Sequence, residues 1–268
     1  MIACARMYAV SPSASAAWRR LFEWVAARAQ VAMEVIDHPY PAALEALWER
    51  EDMGCVFMCG FPYARRDRRP QLIGAPVPSP ARYGGRPIYF TDFVVRAESP
   101  YQSLENTFGG RFAYTTEGSH SGYNAARHHL LAHRTTNRQA LYAQVVGPLI
   151  TPRRAVEAVL GGNADVAPVD SYSLDLMRRH TPDLVAGLRV VASTMAAPIP
   201  PIVASPGVPA EICARLTEAL LSVHRSPEFS ALRETLLFSR FEPVRPADYE
   251  VLVERSRVAE EAGYPRIA

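Results

Sequence analysis

The chain contains no lysine, so all 29 of its lysine-or-arginine positions are arginines. This bias indicates the codon usage of a GC-rich genome rather than a particular function. Neither sign of charge predominates, because the net charge at pH 7 is only +2, and no long basic block occurs. Proteins that bind nucleic acid normally carry a clustered basic patch. The composition therefore argues against nucleic acid as a partner.

Long apolar runs are missing as well. A membrane-spanning helix needs roughly 18 or more consecutive apolar residues, and no such run occurs, so we expect no membrane span. The first residues, MIACARMYAVSP, lack the basic start and the apolar stretch of a signal peptide. We therefore leave the location open: periplasmic if a leader is missing from this sequence, and cytoplasmic otherwise.

Cysteine is rare, with four residues at positions 4, 55, 59 and 213. None has metal-ligand spacing with a histidine, and we interpret them as small buried hydrophobic residues. Cys55 and Cys59 lie in the apolar run GCVFMCG, which predicts a strand. Residues four apart in a strand lie ~13 Å apart, too far for a disulfide. We expect reduced thiols and no cofactor.

What is present is an ordinary globular composition, 49% hydrophobic and 21% charged over 268 residues. Strand and helix patterns alternate from the start: strands at 4–10, 31–38 and 55–59, and helices after Ser11 and at 41–50. Ser11 followed by Pro12 is a typical helix start. This β-α-β-α-β order predicts parallel strands joined by helical crossovers.

The remaining sequence continues the alternation with a long strand pattern at 86–96 in the middle. Further strands are predicted at 110–115, 164–170, 188–194 and 200–205, and helices at 122–132, 137–144, 151–160, 209–223, 227–237 and 246–261. Two βαβ units with one inserted into the other fit this order. We predict a first lobe of residues 1–91 plus 192–268 and an inserted second lobe of residues 92–191. Small ligands usually bind in clefts between such domains.

The stretch TTEGSHSGY, residues 115–123, carries the strongest functional signal. A serine nucleophile elbow needs G-x-S-x-G, and here the middle residue is His120, so the pattern fails. A metal site could combine His120 with His128, His129 or His133, and His129 and His133, four apart, could share a helix face. No acidic residue stands beside them in ARHHLLAHR, and a solvated helix face explains these histidines better.

Two interpretations of this stretch remain open on the residues alone. The first turn of a helix leaves free N–H groups and a partial positive charge, which together form a site for an oxyanion. The hydroxyls of Ser119 and Ser121 can add donors there, and Gly122 permits a close approach of the backbone. The alternative is plain helix capping by Ser119 or Ser121, with no ligand.

A resemblance to a known family covers this region. The run YFTDFVVRAESPYQSLENTFGGRFAYTTEGSHSGY, residues 89–123, and the run AVEAVLGGNADVAPVDS, residues 155–171, resemble the phosphate/phosphonate-type periplasmic binding proteins of ABC transporters. The resemblance implies an α/β, two-lobed type II periplasmic-binding-protein fold. Each lobe would be a mostly parallel sheet flanked by helices, with the ligand cleft between the lobes.

The resemblance also implies a set of ligand-binding residues. Ser119, His120 and Ser121 match the family's oxyanion-binding Ser-Thr-Ser, with histidine in place of threonine. The ring of His120 can donate a hydrogen bond or, when protonated, add charge. Tyr89 matches the cleft tyrosine, and Asp170 marks the acidic end of a strand. The full predicted set is Ser11, Gly60, Phe61, Tyr63, Tyr89, Thr116, Ser119, His120, Ser121, Gly122, Tyr123, Asp170 and Ser171.

From the resemblance we expect a solute-binding protein that captures a small anion, a phosphonate, phosphate ester or related oxyanion. Its partners would be that anion and an ABC permease. No acid/base pair suited to catalysis is evident, so we expect no enzymatic activity. The alternatives are an intracellular enzyme on the same fold, similar to pyrimidine-precursor synthases, and a ligand sensor, since a fold does not fix a function.

Overall fold

The computed structural model describes residues 1–268, which divide into two compact units. The first unit contains Met1–Ile88 and Pro198–Tyr249, and the second contains Tyr89–Ala197 and Glu250–Ala268. The chain thus passes from one unit to the other three times. No helix is both long and apolar enough to cross a membrane.

The first pass through the first unit alternates strands and helices. Its elements are β1 (Ile2–Cys4), α1 (Pro12–Ala29), β2 (Glu34–Val35), α2 (Leu44–Trp48), β3 (Met53–Phe57), α3 (Gly60–Ala64), β4 (Gln71–Pro78), a 3-10 turn (Ala81–Tyr83) and β5 (Ile88–Tyr89).

The second unit follows with most of its strands and helices. Its elements are β6 (Thr91–Arg96), a 3-10 turn (Glu105–Thr107), β7 (Arg111–Ala113), a π-helical turn (His120–Asn124), α4 (Ala125–Leu130), a 3-10 turn (Leu131–His133), β8 (Gln144–Val146), α5 (Pro152–Leu160), β9 (Ala167–Asp170), α6 (Ser171–His180), α7 (Pro182–Val185), β10 (Leu188–Ser193) and β11 (Ala197–Pro198).

The chain then completes the first unit and ends in the second. These elements are β12 (Ile202–Ala204), α8 (Ala210–Ser222), two 3-10 turns (Val223–Arg225 and Pro227–Phe229), α9 (Ser230–Leu236), β13 (Phe238–Glu242), a 3-10 turn (Pro246–Tyr249) and α10 (Glu250–Glu261).

The sheet of the first unit has the strand order β13-β4-β12-β3-β1-β2. Strand β1 is parallel to β2 and β3, and β12 is antiparallel to both β3 and β4. Strands β1 to β4 therefore run in one direction, as the alternating sequence pattern predicts. Strands β12 and β13, which belong to the later pass of the chain through this unit, run the other way.

The second unit repeats this arrangement. Strand β6 lies between β10 and β9 and is antiparallel to both. Strand β7 is parallel to β8, and Phe112 of β7 forms a parallel bridge with Val166, next to β9. Strands β9 and β10 therefore run in one direction, and β6 between them runs the other way. A core cluster that includes Phe93, Phe112, Tyr123 and Ala126 fills this unit.

Helix α1 shows how local sequence sets an element. The Oγ of Ser11 accepts a hydrogen bond from the amide of Ala14 at 3.1 Å, and Pro12 occupies the first turn. Both features are those predicted from the sequence. Trp18 and Phe22 lie on the buried face. The helix ends at Gln30, whose φ of 53° is left-handed.

Some elements differ from the sequence-based expectation. The strand predicted at 4–10 ends at Cys4, because the chain turns there and the amide of Tyr8 donates to the carbonyl of Ala5. The helix predicted at 137–144 is absent. Leu141 and Tyr142 are instead buried in the core of the second unit, and the amide of Leu141 donates to the carbonyl of Ala268. Tertiary contacts override the local helical pattern there.

The C-terminal segment differs in its placement. The sequence-based division assigns residues 192–268 to the first lobe, whereas residues 250–268 are part of the second compact unit. The guanidinium of Arg127 holds this segment: it donates to the Ser256 hydroxyl at 2.7 Å and to the Pro265 carbonyl at 2.5 Å. Contacts between residues more than 120 positions apart are not visible in a local pattern.

Candidate anion-binding site

The segment 115–123 forms a turn that opens a helical run from His120 to Leu130. The amide of Ser119 donates to the carbonyl of Thr116 at 3.0 Å, which closes the turn. The Oγ of Ser119 accepts from the amide of Gly122 at 3.0 Å and so caps the run. The amide of Asn124 donates to the Ser119 carbonyl at 3.0 Å, five residues back, which widens the first turn into a π-helix.

Glycine is required at position 122 by a close approach. A Cβ atom there would lie 1.9 Å from the Oγ1 of Thr115 and 3.1 Å from the Oγ of Ser119. The Gly122 carbonyl also faces the amide of Thr115 at 3.4 Å. Gly122 therefore lets the turn fold onto the end of the preceding strand. Its amide is engaged by the Ser119 cap, and its predicted contact with a ligand stays a prediction.

Ser121 has a different role from Ser119. Its carbonyl accepts from the Oγ1 of Thr91 at 3.1 Å, and the amide of Thr91 donates to the Oγ1 of Thr194 at 3.0 Å. These contacts fix the backbone of Ser121 to the start of β6. The Ser121 hydroxyl makes no hydrogen bond within the protein. It is therefore available to donate to a bound group.

His120 is buried, with 1% of its surface exposed. The Nδ2 of Asn124 lies 3.2 Å from its Nδ1, and the same Nδ2 donates to the carbonyl of Leu252 at 2.9 Å. A carbonyl can only accept, so this contact fixes the amide group as the donor, and Nδ1 of His120 must accept. A neutral imidazole has one donor and one acceptor nitrogen. The ring hydrogen is therefore on Nε2.

The environment keeps this histidine uncharged. Burial, followed by the nearby Arg255 and His128, lowers the pKa of His120 from 6.5 to about 3. The ring thus stays neutral near pH 7. The expectation that His120 adds charge when protonated is wrong at this pH. The other expectation, that the ring acts as a hydrogen-bond donor, agrees with a hydrogen on Nε2.

Two further side chains surround His120. The ring of Tyr89, also buried, lies with its centroid 6.2 Å from that of the imidazole. The Nη1 of Arg255, on α10, lies 3.5 Å from Nε2 of His120, and its Nη2 donates to the Ala196 carbonyl at 2.7 Å. The structure therefore brings together Tyr89 and the Ser119–Ser121 turn, as the resemblance implies, and adds an arginine.

Asp170 and Ser171 have structural partners. The Oδ1 of Asp170 accepts from the amide of Ser173 at 2.8 Å and caps α6. The Oγ of Ser171 accepts from the amide of Phe90 at 2.9 Å. Because Asp170 pairs with Thr91 in the β6–β9 ladder, both residues lie at the end of a strand next to the one that carries Thr91. Their predicted contact with a ligand stays a prediction.

Tyr123 packs in the core of the second unit. It belongs to the core cluster of the second unit, and its Oη accepts from the amide of Ile267 at 3.2 Å. Its predicted contact with a ligand stays a prediction. Thr116 contributes its carbonyl to the turn, as described above. No local sequence signal distinguishes the role of Tyr123 from that of Ser121, since both stand in the same short motif.

The remaining predicted residues belong to the first unit. Ser11 caps α1, and its Oγ lies 2.9 Å from the Oγ of Ser13. Gly60, Phe61 and Tyr63 form α3 and are buried. The ring of Tyr63 contacts that of Tyr249 edge-on, with centroids 5.3 Å apart. The contact with Tyr249 packs the Tyr63 ring, and the predicted role of these residues at the ligand stays a prediction.

His129 on α4 and His133 in the following turn pack against aromatic rings. His129 packs its ring against Phe93, with centroids 5.2 Å apart, and His133 packs against Phe108 and lies 3.4 Å from Glu105. Across residues 1–268, no group of three or more His, Cys, Asp or Glu side chains is arranged to hold a metal ion. Packing against aromatic rings therefore accounts for the positions of His129 and His133 without a metal ion.

Sequence reasoning missed three residues here: Thr91, Asn124 and Arg255. Arg255 carries a readable signal, since Leu252, Arg255, Ser256 and Ala259 form the buried face of α10. An arginine on the apolar stripe of a helix is unusual and normally has a reason. Thr91 and Asn124 carry no comparable signal, because their roles depend on contacts to residues distant in the chain.

Comparison with known proteins bears on this site. The family described as "ABC transporter, phosphonate, periplasmic substrate-binding protein" matches residues 8–249. No curated protein matches the sequence significantly.

Several solved structures share the fold. A binding protein component of an ABC phosphonate transporter from Pseudomonas aeruginosa has a TM-score of 0.80 at 13% identity, covering 98% of this chain and 86% of that one. A protein from Prochlorococcus marinus in complex with methylphosphonate has a TM-score of 0.75 at 14% identity, covering 97% of both chains. The periplasmic aliphatic sulphonate binding protein of Escherichia coli has a TM-score of 0.56 at 16% identity, covering 97% and 86%. The fold is therefore that of the type II periplasmic binding proteins.

Proposed function

Because the chain belongs to the family of periplasmic substrate-binding proteins of phosphonate ABC transporters, we propose that it captures a small tetrahedral oxyanion for uptake through an ABC permease. The ligand class comprises phosphonates, phosphate esters and related oxyanions. The family is one of transport proteins rather than enzymes, so the bound solute is released unchanged. We place the anion at the Ser119–Ser121 turn, beside Tyr89.

The observation that carries this proposal is the unused hydroxyl of Ser121 at the start of the 120–130 helical run. The beginning of a helix attracts negative charge, because its amides and dipole point outward. The backbone of Ser121 is fixed by Thr91, so the hydroxyl is held in place before a ligand arrives. Such preorganisation reduces the entropy lost on binding.

Helix capping and anion binding are compatible at Ser119. Its Oγ accepts from the amide of Gly122, and this uses a lone pair rather than the hydroxyl hydrogen. The hydrogen can still be donated to an oxyanion. The two interpretations that the sequence leaves open can therefore hold at the same residue.

The relatives support the choice of ligand class. One is a component of a phosphonate transporter, one is in complex with methylphosphonate, and one is named for aliphatic sulphonates. All three are tetrahedral-anion proteins by name. Contributions from Ser11, Gly60, Phe61, Tyr63, Asp170 and Ser171 remain predictions from the resemblance.

Calorimetric titration tests the proposal. Methylphosphonate, phosphate, methanesulfonate and acetate would be titrated into the wild-type protein and into the Ser119→Ala/Ser121→Ala variant. Each hydrogen bond to a charged ligand is worth about 1.5–3 kcal/mol. We therefore expect the double variant to bind its best ligand at least about tenfold more weakly.

Thr151→Ala is the matched control. Thr151 caps α5 in the same unit, where its Oγ1 accepts from the amide of Arg154 at 3.2 Å. The Thr151→Ala variant loses a helix cap of the same kind, which lowers the free energy of unfolding by roughly 1 kcal/mol. It should bind the anion with the affinity of wild type. Equal affinity of the double variant and wild type would reduce the Ser119–Ser121 turn to a helix cap, and failure of every anion to bind would reject the proposed ligand class.

A further inference from the structure

Arg255 is a buried cation without an acidic partner. Only 7% of its surface is exposed, and no carboxylate lies within ion-pair distance of its guanidinium. Its Nε is buried and has no hydrogen-bond partner. A buried charge without a counter-charge destabilises the folded state. A protein normally keeps such a group only where something compensates it.

The other buried arginine of this unit shows the ordinary solution. Arg127 lies 3.4 Å from a carboxylate oxygen of Glu260 and donates to the Ser256 hydroxyl and the Pro265 carbonyl. Its charge is balanced and its role is to hold the C-terminal segment. Arg255 has only the Ala196 carbonyl as an accepting partner. The two residues stand on neighbouring helices, so their difference is local.

The contact between Arg255 and His120 is not a satisfied hydrogen bond. The Asn124 amide, oriented by the Leu252 carbonyl, places the ring hydrogen of His120 on Nε2. A guanidinium has donors only. The 3.5 Å between Nη1 and Nε2 therefore separates two donors, which cannot bond to each other. A negatively charged acceptor beside them would satisfy the arginine.

We propose that Arg255 binds the anion, its guanidinium supplying the positive charge that the Ser119–Ser121 turn lacks. This assignment rests on the proposed function and deepens it. The turn offers hydroxyls, amides and a neutral histidine, none of which carries a full charge. Arg255 adds that charge from α10, next to the middle residue of the turn.

A charged guanidinium also favours one class of anion. Attraction in a buried site grows with the charge of the ligand, because the surroundings screen it weakly. Guanidinium groups also bond well to phosphate-like oxygens. Arg255 should therefore favour a dianion, such as a phosphonate above its second ionisation, over a monoanionic sulfonate of the same shape.

The test compares methylphosphonate and methanesulfonate, titrated calorimetrically into wild type, Arg255→Gln and Arg255→Lys at a pH where the phosphonate is dianionic. We expect Arg255→Gln to weaken methylphosphonate binding by at least about tenfold, as loss of one charged hydrogen bond implies. Its effect on methanesulfonate should be smaller. Arg255→Lys keeps the positive charge but loses the planar, two-pronged donor geometry of the guanidinium. Its affinity for methylphosphonate should lie between those of wild type and Arg255→Gln.

Arg257→Gln is the matched control on the same helix. Arg257 is exposed and pairs with Glu254 at 2.6 Å and with Glu261. Exposed pairs of this kind contribute little to stability. The control should bind methylphosphonate as wild type does.

Direct contact can be observed without relying on a folded Arg255→Gln variant. The Nε–H of a buried arginine gives an NMR signal, which the spectrum of Arg255→Lys identifies by its loss. Methylphosphonate added to wild type should shift that signal and leave the Arg127 signal in place.

The outcomes separate the two proposals. Methylphosphonate binding that is equal in wild type and Arg255→Gln, or an unmoved Arg255 signal at saturation, would overturn the role of Arg255 and leave the anion site intact. Equal losses for methylphosphonate and methanesulfonate would overturn the preference for a dianion. If wild type binds no oxyanion at all, both proposals fall.

Discussion

The Nη1 of Arg255 lies 3.5 Å from Nε2 of His120, although 135 positions separate the two residues in the chain. The contact joins the C-terminal helix to the turn that carries the predicted anion site. It also contributes to the low pKa of His120, after burial. The histidine that stands where the family has threonine is therefore a neutral group, and the positive charge comes from α10.

Substitution of Gly122 should destabilise the protein. In Gly122→Ala the new Cβ would lie 1.9 Å from the Oγ1 of Thr115. Overpacking of this kind costs about 1–3 kcal/mol of unfolding free energy, measurable by urea unfolding. Gly207→Ala is the control, because nothing lies within 4 Å of its added Cβ. Adding Thr115→Ala to Gly122→Ala should recover part of the loss, and an unchanged midpoint in Gly122→Ala would contradict the close approach.

Single substitutions of Ser119 and Ser121 should have different effects on stability and on anion binding. Ser119→Ala removes the acceptor for the Gly122 amide and should lower the free energy of unfolding by about 1 kcal/mol. Ser121→Ala removes a hydroxyl with no partner in the protein, so it should leave stability unchanged and weaken anion binding. Thermal unfolding and calorimetric titration of both variants give the comparison. A stability loss in Ser121→Ala with intact affinity would reverse these roles.

Acid should destabilise the fold through His120. The pKa of this ring is about 3 in the folded protein and 6.5 ordinarily. Between these values the unfolded chain binds a proton that the folded protein does not, so the free energy of unfolding falls as the pH drops from about 6.5 toward 3. Above 6.5 this contribution is constant. In His120→Gln that part of the pH dependence should vanish.

Urea unfolding over a pH series measures this effect in wild type and His120→Gln. Identical slopes below pH 6.5 would contradict a buried neutral imidazole. The same reasoning predicts that protonation of His120 does not make anion affinity vary around neutral pH. Variation there would have to come from ionisation of the ligand, and methanesulfonate, which stays a monoanion, is the control for it.

The cysteines should react slowly in the native protein. None of the four cysteines forms a disulfide, and all are buried as the sequence predicts. Burial, followed by the nearby Cys213, raises the pKa of the Cys55 thiol, so its reactive thiolate is scarce. A thiol reagent followed by mass spectrometry should label Cys55 and Cys59 only after unfolding. Rapid labelling of either residue in the native state would contradict their burial.

Local patterns were sufficient for the elements whose signals are contained in a few residues. Ser11-Pro12 and Thr151-Pro152 each predict a helix start, and both serve as caps with the expected hydrogen bonds. A capping bond spans three residues, so it can be read from neighbours. The predicted helix at 137–144 failed for the opposite reason. Leu141 and Tyr142 are drawn into a core built from residues far along the chain.

The sequence by itself determined the alternating α/β architecture, the Ser119–Ser121 turn and the family to which both point, because these depend on contiguous motifs. Tertiary structure decided which residues of that turn face inward. Tyr123 entered the core, Gly122 became a packing requirement, and His120 lost its charge through burial. Only the fold could bring Arg255 to His120, since the placement of α10 in the second unit depends on long-range hydrogen bonds such as those of Asn124 to Leu252 and Arg127 to Ser256. Desolvation and long-range contacts arise when distant segments pack together, and no local pattern encodes them.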